Sequence, residues 1–263
     1  MIKCIDIIEK MEELAPQSLA LEWDNVGLLL GNYEKNIKKI LLALDINDDV
    51  LKEAILQKCD MIITHHPIIF KSIKKITTYD TIGRYIIEII KNDICLFSAH
   101  TNLDICNNGL NDILFHTLEL ENKGHLKEIT NEFSLGRIGD TKTSYTLKDF
   151  AKFVSEKLDV DIVRFVGDEN AKIKKVALCG GASSDREMFY IAKNKGADVY
   201  ITGDIRYHES YDAQAIGLNL IDATHFATEN IVIGHIKKYL DKHFKDLDIY
   251  LSNIYLQPFK NYK

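Results

Sequence analysis

Residues 61–67 read Met-Ile-Ile-Thr-His-His-Pro, so two adjacent histidines follow directly on a short apolar run. Such a run is typical of a strand that is buried on both faces of a sheet. Pro67 cannot continue a central strand, so His65 and His66 lie where the strand ends and a loop begins. Ligands bind at this edge in open α/β sheets, and imidazole is the commonest metal ligand. The alternative is a pair of core or surface histidines beside a turn.

Two more apolar runs of the same kind flank this stretch, at 39–46 (KILLALDI) and 94–98 (ICLFS). Helical patterns at 48–58 and 81–91 separate the three runs. This alternation predicts a mostly parallel sheet with helices on its faces. The last run ends in Ala-His-Thr-Asn-Leu-Asp. Because the ends of parallel strands lie side by side, we expect His65, His66 and Asp104 to meet.

A second alternation of strands and helices occupies the later part of the chain. The polar stretch 121–132 interrupts the first pattern and predicts a junction between domains. Beyond it we predict strands at 133–138, 162–166, 174–179, 198–202, 218–222 and 248–252, and helices at 147–157, 185–195 and from 225 to about 244. The fold class is therefore α/β, with a core in each part of the chain.

Residues 225–229 (HFATE) place a histidine and a glutamate four residues apart at a predicted helix start. Residues at this spacing share one helix face. With His65, His66 and Asp104, the chain then offers three histidines and two carboxylates. One tetrahedral zinc ion uses fewer ligands. The set suits two ions that share a carboxylate.

The composition limits the class of protein. The 263 residues are 46% hydrophobic and carry a net charge of -6, which is ordinary for a globular protein and disfavours non-specific nucleic-acid binding. The Lys-rich stretch 71–75 is a candidate basic patch, although a solvated loop is the favoured interpretation. Five cysteines without a Cys-x-x-Cys pair are typical of a reducing compartment. We find no signal peptide or membrane span and predict a cytoplasmic protein.

Two turns carry less specific signals. Residues 21–28 contain the only tryptophan, and their polar centre predicts a tight turn beside a packed Trp23. Residues 180–184 (GGASS) join a predicted strand to a helix. Backbone N–H groups of such a turn can hold an anion, but the spacing fits no phosphate-binding fingerprint. A plain tight turn is the favoured interpretation there.

Five motifs together resemble the signature set of the Nif-three-like family, whose members are often labelled GTP cyclohydrolase 1 type 2 homologues. They are WDNVGL at 23–28, THHP at 64–67, HTNLD at 100–104, TGDIRYHE at 202–209 and HFATE at 225–229. The resemblance implies a dinuclear divalent-metal site in which Glu229 touches both ions and whose ligands are His65, His66, Asp104, His225 and Glu229. It also implies a ring-shaped homohexamer.

The resemblance further implies two α/β lobes with the metal site in the cleft between them. With the junction at 121–132, we assign residues 1–124 and 225–263 to a metal-binding lobe and residues 125–224 to the second lobe. Ligands of this type admit zinc, iron or manganese.

Two kinds of function are compatible with such a site. The first is a metal-dependent hydrolase of a nucleotide or related heterocycle, with His208 or His100 as the proton donor; phosphoester hydrolysis is an equally suitable reaction. We predict the catalytic role for His208, and the alternative is a capping or packing histidine. The second kind is a non-enzymatic hexamer that carries metal or serves as a scaffold.

Overall fold

The computed structural model describes residues 1–260 of the chain, and these form two compact units. The first unit comprises Met1–Cys106 and Val232–Leu256. The second comprises Asn107–Ile231 and the described residues from Gln257 onward. In the described residues, no helix is long and apolar enough to cross a membrane.

The bounds of the elements agree with most of the predicted ones. The strands are β1 (Gly27–Leu30), β2 (Lys39–Ala43), β3 (Met61–Thr64), β4 (Cys95–Ser98), β5 (Glu121–Glu128), β6 (Ser134–Thr146), β7 (Arg164–Val166), β8 (Lys172–Leu178), β9 (Val199–Thr202), β10 (Asn219–Asp222) and β11 (Asp248–Leu251). The helices are α1 (Cys4–Leu14), α2 (Asp48–Leu56), α3 (Thr81–Lys91), α4 (Thr101–Ile105), α5 (Leu110–Thr117), α6 (Leu147–Leu158), α7 (Arg186–Asn194), α8 (Tyr207–Ala215) and α9 (His225–His243).

The sheet of the first unit has the strand order β1-β4-β3-β2-β11. Only β1 runs antiparallel to its neighbour, so the prediction of a mostly parallel sheet is confirmed here. The apolar runs of β2, β3 and β4 are buried on both faces, as their composition predicts. The register pairs Ala43 with Thr64 and Thr64 with Ser98, so three strands end side by side.

The sheet of the second unit has the order β5-β6-β8-β9-β10-β7 and is mixed. Strands β8, β9 and β10 run parallel, whereas the other three pairings are antiparallel. Alternate residues of β9 enter opposite cores: Val199 and Ile201 pack with α6, and Tyr200 packs with α7. The α/β class with two lobes is thus confirmed, and the second sheet is less parallel than predicted.

The polar stretch 121–132 is a strand rather than a connection between domains. Most of it forms β5, which pairs with β6 at the edge of the second sheet. An edge strand exposes one side to water, so its sequence need not be apolar. The boundaries between the two compact units lie after Cys106 and after Ile231, whereas the predicted lobe boundaries lie after residues 124 and 224. Residues 261–263 of the predicted first lobe lie outside the described residues.

All five cysteines are buried. Helix starts follow sequence signals: the side chains of Asn47, Asp80, Thr146 and Asp185 each accept a hydrogen bond from a backbone N–H of the first turn. Such N-caps replace hydrogen bonds that a helix start otherwise lacks.

Candidate metal centre

The loop after β3 is fixed to both neighbouring strands. Thr64 donates its hydroxyl proton to the carbonyl of His66 at 2.9 Å, so the hydroxyl of Ser98, 2.8 Å away, donates to Thr64 Oγ1. The backbone N–H of His66 donates to the carbonyl of Leu44 at 3.0 Å. The two histidines therefore leave the strand in a defined conformation, and they are not constrained to opposite faces.

Three imidazoles of the first unit converge at these strand ends. One ring nitrogen from each of His65, His66 and His100 lies within 4.8 Å of the other two. The Oδ1 atom of Asp104, on α4, lies 3.5 Å from Nε2 of His65. The structure thus brings together the three predicted residues of this unit, and it adds His100 to them.

His65 has a defined tautomer because its Nδ1 lies 2.8 Å from the carbonyl oxygen of Ala99. A carbonyl only accepts hydrogen bonds, so Nδ1 carries the proton and Nε2 carries the lone pair. His65 is fully buried. Metal-binding histidines commonly have one nitrogen fixed by such an acceptor while the other faces the ligands of the site, and Nε2 of His65 faces Oδ1 of Asp104.

The same arrangement recurs at His66 and His100. Nδ1 of His66 lies 2.8 Å from Oδ1 of Asp45, and Nδ1 of His100 lies 2.9 Å from Oδ1 of Asp24. In both cases Nδ1–H donates a hydrogen bond to a carboxylate oxygen. The Nε2 atoms of all three rings are consequently the ones suited to a metal ion.

Asp24 is fixed more firmly than an ordinary surface aspartate. Its Oδ2 accepts hydrogen bonds from the backbone N–H of Thr101 at 3.0 Å and from the Thr101 hydroxyl at 2.5 Å. Burial raises the pKa of Asp24, but the hydrogen bonds from His100 and Thr101 outweigh it and lower the pKa to about 2. Asp24 therefore remains ionised across the physiological pH range and holds His100 in one orientation.

In the second unit, His225 and Glu229 lie one turn apart at the start of α9. Nε2 of His225 is 2.9 Å from Oε2 of Glu229, whose side chain is buried. Nδ1 of His225 lies 2.8 Å from Oδ2 of Asp204. His225 thus resembles the histidines of the first unit at Nδ1, which lies beside a carboxylate oxygen, whereas its Nε2 faces the carboxylate of Glu229.

The Gly-Gly-Ala-Ser-Ser turn makes room for Glu229. A Cβ atom at residue 181 would lie 2.1 Å from Oε1 of Glu229, and Gly181 has a positive φ of 69°. The N–H of Gly181 donates to the hydroxyl of Thr228 at 3.0 Å. The turn is thus a tight βα turn, as predicted, and it also forms the wall against which the glutamate packs.

His208 lies on α8 of the second unit and is exposed. Its ring contacts that of Tyr207 with 5.4 Å between the centroids. Within residues 1–260, no hydrogen bond joins His208 to the donors described above, and its catalytic role stays a prediction.

The prediction of a packed Trp23 is wrong. The turn is present, but 55% of Trp23 is exposed, because the buried residue of the motif is its neighbour Asp24. Sequence reasoning also missed Asp24, Asp45 and Asp204 as the acceptors for the histidines. Each of these carboxylates lies a few residues from a strand, and that position alone does not distinguish it from an ordinary turn residue.

The family model described as Duf34/NIF3 (NGG1p interacting factor 3) matches residues 2–258. The chain belongs to the Duf34/NIF3 family. The GTP cyclohydrolase 1 type 2 homolog of Clostridium perfringens (strain 13 / Type A) is 40% identical over 263 residues, which cover 98% of this chain and 99% of that protein. The predicted family is thereby confirmed.

Two solved structures show the same fold. A Bacillus cereus protein related to NIF3 matches with a TM-score of 0.92 and 27% identity, over 100% of this chain and 99% of that one. Reduced HcgD from Methanocaldococcus jannaschii matches with a TM-score of 0.84 and 35% identity, over 96% of this chain and 98% of that one.

The donor set fits divalent transition metals. It combines neutral imidazoles with carboxylates, and this chemistry admits zinc, iron or manganese. The oxygen atoms that fix Nδ1 are the strongest evidence for metal binding. A histidine that only packs in a core does not need its Nε2 lone pair to be kept in a fixed position. A His/Glu group suited to metal binding is therefore present in the family member described here.

Proposed function

We propose that the chain binds two divalent metal ions and uses them to hydrolyse a nucleotide or a related heterocycle. The observation that carries the proposal is a contact that four histidines share: Nδ1 of His65, His66, His100 and His225 each lies 2.8–2.9 Å from a carbonyl or carboxylate oxygen. Such fixed acceptors orient metal-binding histidines and raise their basicity.

The proposed ligands are the five residues that the family resemblance implies: His65, His66, Asp104, His225 and Glu229. His225 and Glu229 alone are two donors, and protein metal sites normally use three or four. A site for two ions would therefore need His65, His66 and Asp104 as well, and the resemblance implies that Glu229 would be the shared carboxylate.

Bound ions of this kind supply a nucleophile at neutral pH by lowering the pKa of water, and they stabilise negative charge that develops in the reaction. The protein's own residues fix the donors and supply the proton for the departing nitrogen or oxygen. Two histidines are candidates for that proton transfer, His208 and His100, and His100 would donate from Nε2 only when its ring is an imidazolium, because its Nδ1 proton is held by Asp24. His100 is held by Asp24 beside the other imidazoles, whereas His208 offers an exposed ring on α8.

Elemental analysis and turnover assays test the proposal together. Protein purified without chelator and reloaded with zinc or manganese should contain close to two ions per chain and should hydrolyse GTP or a generic phosphodiester. His66→Ala should lose both properties, and His116→Ala, an exposed histidine on α5, should keep both. One ion or fewer per chain contradicts the dinuclear site. Two ions without turnover of either substrate supports a metal carrier or scaffold instead.

We also propose that the chain forms a homohexamer, on the basis of the family resemblance. Light scattering at micromolar concentration should give a mass near six chains. A monomer under these conditions contradicts the proposal.

A further inference from the structure

Two aromatic side chains of the first unit lie exposed beside the imidazole cluster. The ring centroids of Trp23 and Phe70 are 5.4 Å apart with an interplanar angle of 43°, and both rings contact the edge of His100 at 6.0 and 6.1 Å. Trp23 is 55% exposed and Phe70 is 48% exposed. Adjacent large aromatic side chains with half their surface in water are typical of sites that bind a partner or ligand.

Polar contacts hold both rings in this position. The next residue after Trp23 is Asp24, which His100 and Thr101 fix by hydrogen bonds. Asn25 donates its side-chain N–H to the carbonyl of Ile69 at 2.6 Å and so anchors the residue before Phe70. Each ring is therefore attached to backbone next to a hydrogen-bonded residue, Asp24 beside Trp23 and Ile69 beside Phe70.

An open, fixed aromatic pair recognises flat rings. Aromatic side chains bind nucleobases by stacking, and every heteroaromatic base offers a π face for this contact. Stacking here places such a ring next to His100 and hence next to the imidazole cluster. An aliphatic or sugar-only ligand gains little from this surface.

The loop that follows Phe70 is positively charged. It contains Lys71, Lys74 and Lys75, which are exposed, and within the described part of the chain none of them forms an ion pair. Lysine is a compact point charge suited to phosphate groups. The basic stretch that appeared in the sequence as a solvated loop thus begins at the aromatic pair.

We infer that Trp23 and Phe70 form a stacking subsite for a planar nitrogen heterocycle that carries a phosphate, with Lys74 and Lys75 binding the phosphate. This inference rests on the proposed function, since it names the substrate class of the same site. It adds Trp23 and Phe70 as the residues that select the ring.

Trp23 is the only tryptophan of the chain, so its fluorescence reports on this subsite alone. The probes are GMP, guanosine and ribose 5-phosphate, added to chelator-treated protein. GMP should quench the emission saturably, guanosine should do so with lower affinity, and ribose 5-phosphate should leave it unchanged. Equal quenching by ribose 5-phosphate, or no quenching by GMP, overturns the inference.

Matched variants test the individual residues. Phe70→Leu should weaken GMP binding about tenfold, because loss of one stacking partner has an effect of this order. Tyr33→Leu, an exposed tyrosine elsewhere in the unit, should leave GMP binding unchanged. The double variant Lys74→Gln/Lys75→Gln should weaken binding of GMP and spare guanosine, whereas Lys52→Gln on α2 should change neither.

Two outcomes separate this inference from the proposed function. Saturable quenching in protein that fails to take up two metal ions supports the stacking subsite and contradicts the metal-dependent hydrolase. Normal metal content and turnover with unchanged GMP binding in Phe70→Leu contradict the subsite alone. A lower mass of Phe70→Leu in light scattering would show that the aromatic pair joins copies of the chain, which also overturns the inference.

Discussion

Residue 181 and Glu229 lie so close that only glycine fits at the first position. A Cβ atom on residue 181 would come within 2.1 Å of the carboxylate oxygen Oε1 of Glu229. Glu229 is buried and cannot move away freely, because its Oε2 also lies 2.9 Å from Nε2 of His225. The Gly-Gly turn between β8 and α7 therefore determines where the carboxylate of α9 lies.

Gly181→Ala should lower metal affinity by displacing Glu229. The added methyl group occupies the position of the carboxylate, and a positive φ is also unfavourable for alanine by on the order of 1–2 kcal/mol. Calorimetric titration with zinc should show weaker binding of at least one ion, and thermal denaturation should show reduced stability.

Gly196→Ala is the matched control for this prediction. Gly196 has a similar positive φ of 82°, but a Cβ atom there would meet only Lys175 Cδ, at 3.9 Å. This variant should lose stability from the backbone conformation and bind metal as the parent does. Equal metal affinity in both variants would show that Gly181 has only a conformational role.

The carboxylates that accept hydrogen bonds from the Nδ1 atoms should raise metal affinity without contacting the ions. Asp45→Ala leaves His66 without its fixed acceptor, so the ring can rotate and change tautomer. Loss of such an outer carboxylate typically weakens metal binding about 10–100-fold. Competition with a fluorescent chelator should measure this loss. Asp246→Ala removes an exposed aspartate of the same unit and should have no effect; a similar loss there would point to net charge as the cause.

The sequence predicted the first sheet better than the second, for a physical reason. Strands β2, β3 and β4 are buried on both faces and therefore appear as continuous apolar runs. Strand β5 lies at a sheet edge, and its exposed, polar residues resemble a loop. Helix α4 has five residues, too few for a helical period to become visible.

The sequence predicted the histidines of the candidate site, but it did not predict the aspartates that accept hydrogen bonds from them. His65, His66 and Asp104 follow strands whose ends a parallel sheet must align, so their proximity follows from the pattern. The partner of His100 is Asp24, 76 positions away in the chain. Nothing in the local sequence distinguishes Asp24 from a turn residue, and its neighbour Trp23 suggested burial of the wrong side chain.

A buried ion pair in the second unit should make stability depend on pH. Arg137 and Asp112 are both buried, with Nε of Arg137 at 2.5 Å from Oδ1 of Asp112. Burial raises the pKa of Asp112, but Arg137, the N–H of Asn108 and the Lys123 ammonium lower it below its ordinary value. Its stabilising contribution is therefore present above the unfolded-state pKa of about 3.9 and is lost as the pH falls through the lower folded-state pKa.

Asp112→Asn should destabilise the protein by about 3–5 kcal/mol at neutral pH, because the charge of Arg137 then stays buried without its ion-pair partner. Urea denaturation at neutral and acidic pH measures both this loss and a shallower acid dependence in the variant. Glu128→Gln breaks an exposed pair with Lys195 and should cost less than about 1 kcal/mol. Equal losses of unfolding free energy in the two variants would show that the buried pair of Arg137 is worth no more than an exposed ion pair.

Glu229→Gln is the sharpest test of the proposed dinuclear site. Two divalent cations at the usual separation of about 3.5–4 Å repel each other, and a shared carboxylate places negative charge between them. A carboxamide has the same shape, but it is neutral and its NH₂ group offers hydrogens instead of a lone pair. The variant should thus fold normally and bind at least one ion much more weakly, as calorimetry and elemental analysis will show. Glu156→Gln, on the exposed face of α6, should retain the full metal content. If Glu229→Gln binds two ions as tightly as the parent, Glu229 is not the bridge, and the ligands are to be sought among His65, His66, His100 and Asp104.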